Sequence, residues 1–165
     1  MGRQWFSPPG NLYLSIVLRL DAPPGRLPEL SFLTAVALAE ALEQLLPERA
    51  RIELKWPNDV LCGGAKLCGI LLEGERKSVA IGIGINCVHH PEDAEYPATD
   101  LAAAGAHVTA EGAFTALSRA FVARIAQWRR GDGDWRRAQP QRWEGVKTCN
   151  LSLARVDFMR VNGFD

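Results

Sequence analysis

The segment 78–86, SVAIGIGIN, constrains the fold of this chain more than any other feature of its sequence. Four apolar β-branched residues alternate with four small or polar ones: Val79, Ile81, Ile83 and Ile85 against Ala80, Gly82, Gly84 and Asn86. A period of two predicts a strand with one face in the core. Glycine weakens a strand interior, so the second face indicates close approach by a ligand or another backbone, or tight helix packing.

Similar alternation predicts the strands around this segment. Residues 11–20, NLYLSIVLRL, place Leu12, Leu14, Ile16, Leu18 and Leu20 on one side. Residues 51–56, RIELKW, do the same with Ile52, Leu54 and Trp56. The turns PND and GG bracket a short segment, VLC, and a further strand-like run, AKLCGILLE, comes next. We therefore expect an antiparallel meander.

Two helices are predicted from composition and spacing. Residues 29–46 are rich in alanine and leucine and stop at Pro47, which predicts a largely buried helix. From Thr109 an apolar stripe runs along a second helix and is expected in the core: Phe114, Leu117, Phe121, Ile125 and Trp128. The fold class predicted is α+β, a mixed, mostly antiparallel sheet with helices packed on one face.

Length and charge limit the classes of function. The chain has 165 residues, the size of one globular domain, and 47% of them are hydrophobic. Its 19 basic residues balance 19 acidic ones, so no overall field favours nucleic acid or an anionic membrane as partner. No apolar run approaches the roughly 20 residues of a membrane span, and MGRQWFSPPG lacks the regions of a secretory signal. We expect a cytoplasmic protein.

The cysteines and histidines do not form a metal-binding pattern. Cys62, Cys68, Cys87 and Cys149 include no C-x-x-C pair, and the three histidines stand at no ligand spacing from them. The cysteines are expected to be reduced packing residues.

A cluster of charged and amide side chains lies in an otherwise apolar stretch, KWPNDVLCGGAKLCGILLEGE, at residues 55–75. An unpaired charge in such a place is costly, so Lys66 needs an anionic partner. A structural ion pair with Asp59 or Glu73 is one explanation. The other is a nucleoside triphosphate with its metal, because Asn58 and Asp59 offer oxygen ligands for Mg²⁺ and Lys55 adds a second positive charge.

Three motifs in this order, KWPNDV, KLCGILLE and AIGIGIN, resemble the catalytic core of biotin protein ligases, which attach biotin to a lysine of carboxylase carrier domains. The start, GRQWFSPPGNLYLS, is similar to the segment after the family's glycine- and arginine-rich loop, of which Gly2, Arg3 and Trp5 are kept, and HHPEDAEYPATDL fits the family's next loop. The resemblance implies a class II aminoacyl-tRNA synthetase-like, biotin–lipoate ligase catalytic domain. It assigns residues 1–130 to part of this domain and leaves 131–165 as a divergent or truncated tail.

The resemblance also implies a mechanism and its residues. The biotin carboxylate attacks the α-phosphorus of ATP, and the lysine of a biotin carboxyl carrier domain then displaces AMP. Lys66 matches the catalytic lysine that contacts carboxylate and α-phosphate. The residues matched to ATP and its phosphates are Lys55, Asn58, Asp59 and Asn86, with Asn58 and Asp59 serving Mg²⁺ indirectly. Those matched to biotin are Arg3, Gly69, Gly82 and Gly84.

The chain departs from the family pattern in three places. The family's opening strand and helix, with a Ser/Thr-Asn motif, are not found before Met1, and Val88 stands where many members have a second asparagine. No small C-terminal β domain is recognisable, and no helix-turn-helix precedes the domain, so DNA binding is not expected. We expect this chain alone to bind biotin and form the adenylate poorly or not at all, and to self-associate, for example as a homodimer, through an exposed sheet edge.

Two other functions remain open at this point. Ligases for lipoate or octanoate share the fold but generally lack KWPND. A folded fragment without catalytic activity is the second alternative.

Overall fold

The computed structural model describes residues 7–19, 24–75, 78–92, 94 and 96–130. The strands are β1 (Leu12–Arg19), β2 (Ile52–Lys55), β3 (Asp59–Cys62), β4 (Ala65–Glu75) and β5 (Ser78–Ile85). The helices are α1 (Glu29–Leu45) and α2 (Ala110–Arg130), and a short 3-10 turn spans Pro24–Arg26. Each predicted strand and helix is found, with boundaries shifted by a few residues at most.

The five strands of the described residues form one antiparallel sheet in the order β1-β5-β4-β3-β2. From β2 to β5 each strand pairs with the next along the chain, so the predicted meander is confirmed. Strand β1 pairs with the far side of β5, with Leu12 opposite Ile85 and Arg19 opposite Ser78. This register brings the apolar residues of β1 and β5 onto one face.

The core lies between that face and the two helices. Strand β5 contributes four side chains that are at most 3% exposed: Val79, Ile81, Ile83 and Ile85. They belong to one apolar cluster that also contains residues of α1, such as Leu38 and Leu42, and of α2, such as Leu117 and Trp128. The two helices also pack on each other. The predicted α+β arrangement, with helices on one face, is confirmed.

One residue of the predicted α2 stripe is outside the core. Leu117, Phe121, Ile125 and Trp128 are buried as predicted, but Phe114 is 42% exposed. The neighbouring residue Ala113 is buried instead. The prediction for Phe114 was therefore wrong.

The turn between β2 and β3 is fixed against α1. The rings of Phe32 and Trp56 stack with centroids 5.5 Å apart. The Ser31 hydroxyl donates a hydrogen bond of 3.3 Å to the carbonyl oxygen of Pro57. The helix therefore determines where the next two residues, Asn58 and Asp59, leave the turn.

Some predictions concern parts of the chain outside the described residues. Arg3, Cys149 and the tail 131–165 are among them. In the described part of the chain no helix is long and apolar enough to cross a membrane.

The three described cysteines give a prediction about reactivity. Burial raises the pKa of the thiols of Cys62, Cys68 and Cys87, and that of Cys68 most strongly. Because the thiolate is the reactive form, a raised pKa slows alkylation at neutral pH. With iodoacetamide at pH 7.5 we expect Cys62, the most exposed of the three, to react first. Peptide mass spectrometry measures this, and equal rates for Cys62 and Cys68 in the folded protein would contradict it.

Candidate functional site

The sheet face opposite the helices carries most of the predicted site residues. Cross-strand pairing places one residue from each strand side by side in a row: Lys55, Asp59, Gly69, Gly84 and Tyr13. Paired residues of antiparallel strands lie on the same face, with strands about 4.8 Å apart. We call these five residues the central row and the face that carries them the open face.

Two glycines of the open face are not covered by a helix. A Cβ atom added to Gly82 would meet only atoms of Leu71, the nearest at 3.5 Å, and one added to Gly84 would meet only Tyr13, at 4.0 Å. Tight helix packing therefore does not explain these glycines within the described structure. Apolar surface lies beside them, because Leu71 is 55% exposed and Val17 is 69% exposed.

An irregularity in β4 turns Lys66 onto the open face. Val60 pairs with Cys68 but Leu61 pairs with Lys66, so Leu67 is an extra residue in β4. Strict alternation would put Lys66 on the same side as Cys68, which is 2% exposed and in the core. The extra residue reverses the side, as β-bulges commonly do beside functional sites. The Lys66 side chain then extends over Gly69, where an added Cβ would lie 3.6 Å from its Cε and Nζ atoms.

Lys66 meets a carboxylate at the end of this path. Its Nζ atom lies 2.6 Å from Oδ1 of Asp59, whose side chain is 9% exposed. Among the described residues no donor reaches that oxygen with hydrogen-bond geometry. The contact is therefore a close ion pair whose angles do not suit a hydrogen bond. Of the two partners considered from the sequence, Asp59 is the one found. Glu73 is exposed, and its pair with Ala80 lies four residue pairs along the sheet from the pair of Gly69 with Gly84.

Lys55 lies close to the same place. Its Nζ atom is 4.4 Å from the centre of the Tyr96 ring, and Nζ of Lys66 is 5.7 Å from that centre. Both distances are within the range of cation–π contacts. From the sequence, Tyr96 is placed only in a loop similar to that of the family, because a single aromatic residue between polar ones carries no signal of such a contact.

The amides of Asn58 and Asn86 bond to backbone carbonyls. Asn58 Nδ2 donates to the carbonyl oxygen of Ile70 at 3.0 Å, and Asn86 Nδ2 donates to that of Thr99 at 3.0 Å. The first joins the turn before β3 to β4, and the second joins the end of β5 to the loop after it. Both residues border the open face, and their predicted roles at ATP and Mg²⁺ remain predictions.

Asn11 organises the loop after β5 and was missed by sequence analysis. Its Oδ1 atom accepts hydrogen bonds from three successive backbone N–H groups, those of Cys87, Val88 and His89, at 2.9–3.2 Å. Its Nδ2 atom donates to the carbonyl oxygen of His89 at 2.8 Å. The asparagine directly before β1 is the only local signal, since this residue type suits loop ends. Asn11 thereby fixes the start of the loop that leads to Tyr96.

The similarity of this chain to known proteins agrees with that geometry. A profile of the biotin/lipoate A/B protein ligase family matches residues 1–88 of the 165 in the chain. The chain belongs to this family. The fold is that of the biotin protein ligase catalytic domain, which the sequence motifs predicted.

Individual relatives of the family are similar over part of their length. A biotin--[acetyl-CoA-carboxylase] ligase of Paracoccus denitrificans is 42% identical over 96 residues, which cover 55% of this chain and 40% of that protein. The ligase of the same name from Mycobacterium tuberculosis is 35% identical over 132 residues, covering 78% of this chain and 50% of that protein. The structure of biotin protein ligase from Aquifex aeolicus in complex with biotin and ATP has a TM-score of 0.66 at 27% identity, covering 78% of this chain and 56% of that one. The chain therefore spans about half the length of these relatives.

The described part of this family member combines two chemical surfaces. One end of the open face carries two ammonium groups and one carboxylate, from Lys55, Lys66 and Asp59. The rest consists of glycine backbone bordered by exposed apolar side chains. Such a surface suits a ligand with an anionic end and an apolar body, since fixed cations stabilise negative charge and apolar area favours burial.

The ion pair gives a prediction about stability. Lys66→Met should lower the free energy of unfolding by about 1–3 kcal/mol, because it leaves the Asp59 carboxylate buried without its counter-charge. Adding Asp59→Asn should recover most of this loss, since the amide is neutral. Urea denaturation at pH 7 measures all three proteins.

Lys55→Met serves as the matched control for this cycle. Lys55 is not joined to a carboxylate by an ion pair in the described residues, so its loss should change the free energy of unfolding by less than about 1 kcal/mol. Additive effects of the Lys66 and Asp59 substitutions would show that the two side chains are not coupled.

Proposed function

We propose that this chain carries the adenylate-forming centre of a biotin protein ligase. The reaction joins biotin and ATP into biotinyl-5'-AMP and then transfers biotin to a lysine of a biotin carboxyl carrier domain. The observation that supports this most directly is the position of Lys66. The bulge in β4 turns its ammonium group onto the open face, where it lies over Gly69 at the junction between the charged and apolar parts of that face. That junction is where the carboxylate of biotin and the α-phosphate of ATP have to meet.

Biotin fits the uncharged part of the face by its chemistry. Biotin has a flexible aliphatic chain that ends in a carboxylate, so the chain favours contact with apolar surface while the carboxylate needs a cation. Gly82 and Gly84 leave room for a ligand to lie directly on the backbone, and Leu71 offers apolar area beside them. The predicted biotin-binding roles of Gly69, Gly82 and Gly84 belong to this proposal, as does that of Arg3.

In the first step a carboxylate oxygen of biotin forms a bond to the α-phosphorus, and the bond from that phosphorus to the β-phosphate oxygen breaks. Pyrophosphate leaves with the electron pair. A lysine ammonium has three donors, so Lys66 can keep its contact with Asp59 and still donate to the carboxylate and to an α-phosphate oxygen. Preorganised donors of this kind stabilise the charge that develops in the transition state.

Lys55 and Asp59 are proposed to face the β- and γ-phosphates. The described residues contain no group of three or more His, Cys, Asp or Glu side chains that could hold a metal ion. One carboxylate near two lysines fits an ion that arrives with ATP, because Mg²⁺ is commonly held by one or two carboxylates together with substrate phosphates. Asn58 and Asp59 would serve this ion indirectly, and the ion would neutralise phosphate charge.

In the second step the carrier lysine attacks the acyl carbon of the adenylate, and the bond to the phosphate oxygen breaks to release AMP. The names of the relatives support a carboxylase carrier domain as the partner. A cytoplasmic location and association between copies through a sheet edge are further parts of this proposal.

Ligand-induced stabilisation tests the proposal on the full chain. Biotin with MgATP should raise its melting temperature, because a ligand that binds only the folded state adds about 2.7 kcal/mol at a hundred times its Kd. Lys66→Met should abolish the shift from the pair of ligands and lower the rate of biotin-dependent pyrophosphate release by about 10²-fold or more.

Arg129→Met is the control for a lost positive charge, since Arg129 is an exposed residue of α2. It should behave as wild type in both measurements. A wild-type chain that is not stabilised by MgATP, either alone or with biotin, would overturn the proposal and favour a folded protein without catalytic activity. Stabilisation by lipoate but not by biotin would instead favour the other substrate class of the family.

A further inference from the structure

We propose that Tyr96 is a positioning residue that holds the ammonium groups of Lys55 and Lys66 at one end of the open face. The role in catalysis rests on the proposed function, but the positioning itself does not. The Tyr96 ring is the described group that contacts both lysines, with its centre 4.4 Å from Nζ of Lys55 and 5.7 Å from Nζ of Lys66.

The ring is carried by a segment that is bonded to Lys66 itself. Lys66 N donates to the carbonyl oxygen of Pro97 at 2.8 Å, and Thr99 N donates to that of Lys66 at 2.9 Å. Lys66 and Ala98 thus form an isolated parallel bridge beside the bulge. The backbone that places the lysine and the backbone that places the ring are therefore one hydrogen-bonded unit.

The same segment is fixed at its far end. Asn86 Nδ2 donates to the carbonyl oxygen of Thr99, and Leu101 N donates to that of Asn86. Leu101 is fully buried. These contacts tie the segment that directly follows the half-buried Tyr96 to the end of β5 as well as to β4.

Electrostatics favours an aromatic ring in contact with the two lysine ammonium groups. Two ammonium groups repel each other, and the Asp59 carboxylate is in contact with Lys66. In the described residues Lys55 is not joined to a carboxylate by an ion pair, and its ammonium lies against the face of the Tyr96 ring. The negative face of an aromatic ring attracts both cations without a charge that would compete with phosphate for them.

The aromatic face of Tyr96 positions the lysines, and its hydroxyl is dispensable for this role. Tyr96→Phe keeps the aromatic face and should behave like wild type. Tyr96→Leu keeps apolar volume but loses the ring, so Lys55 should be less confined and the lysine pair less preorganised for a polyphosphate. A purely structural role of Tyr96 would change stability in Tyr96→Leu without a selective change at Lys55.

The first test does not depend on catalysis. The full-length chain is acetylated with a water-soluble N-hydroxysuccinimide ester, and the modification rate of Lys55 is followed by peptide mass spectrometry. The ring shields one side of the amine, so Tyr96→Leu should raise this rate about threefold or more, a typical effect of a partly exposed cation–π contact, while Tyr96→Phe stays within about twofold of wild type. Phe114→Leu, which removes an exposed ring on α2, is the matched control and should leave the rate unchanged.

The second test uses inorganic tripolyphosphate as a probe in calorimetric titration. Tyr96→Leu should weaken its binding by about three- to tenfold and Tyr96→Phe by less than about twofold. In biotin-dependent pyrophosphate release, the Tyr96→Leu change should appear in KM for ATP and in kcat, and Tyr96→Phe should restore both. Should Tyr96→Leu fail to fold, Tyr96→Met is the second ring-free variant.

The outcomes separate this inference from the proposed function. Unchanged acetylation of Lys55 in folded Tyr96→Leu overturns the role of Tyr96, whether or not the chain is a ligase. Tighter tripolyphosphate binding in that variant also overturns it, because the ring would then be an obstacle to phosphate. A wild-type chain that neither binds tripolyphosphate nor releases pyrophosphate contradicts the proposed function, while the acetylation rates still decide the role of the ring.

Discussion

The extra residue in β4 is the constraint on which the site depends. Without it, Lys66 would share the side of Cys68 and Ile70, and its ammonium would enter a core of leucine and isoleucine side chains. Burying a charge there without a partner costs far more than one hydrogen bond returns. The bulge solves this locally, because it leaves Leu67 in the core and turns Lys66 onto the open face within two residues.

The bulge also leaves the backbone of Lys66 free to pair with a different segment. Strand β5 ends at Ile85, opposite Cys68, so it does not extend to Lys66. The loop residues 97–99 take over at that point and satisfy both backbone groups of Lys66. Buried backbone groups nearly always find partners, and here the partner segment carries Tyr96. A local change in strand register thus explains how a loop distant in sequence reaches the two lysines.

Much of this structure could be predicted from the sequence, and the misses have physical causes. The alternation of apolar and polar residues predicted β1 and β5 well, because one side of each strand faces the core and has to be apolar. It could not reveal the bulge, because Leu67 and Cys68 are both apolar and either could be the inward residue. The partner of Lys66 depended on that register, so the sequence left Asp59 and Glu73 as alternatives.

Contacts between distant segments were harder to predict than local structure. Asn11 and Tyr96 act through hydrogen bonds and a ring contact to residues far away in the chain, and neither stands in a periodic pattern. The error at Phe114 has the same origin, since the α2 stripe alone does not say which edge of the helix packs against α1. The motifs KWPNDV, KLCGILLE and AIGIGIN predicted the family and the candidate site. They contain half-buried charges and strand glycines, which lower the stability of a fold and therefore indicate a functional site.

The two faces of the sheet show how one set of strands can serve both stability and binding. The helix-covered face is filled by branched apolar side chains, and this packing stabilises strand β5 although it contains glycine at two alternate positions. The open face can then lack side chains at Gly69, Gly82 and Gly84, because stability does not depend on side chains there. On that face lies a flat backbone surface with cations at one end, held by Asp59 on one side and the Tyr96 ring on the other. The rigidity of the open face therefore comes from the apolar packing on the opposite face.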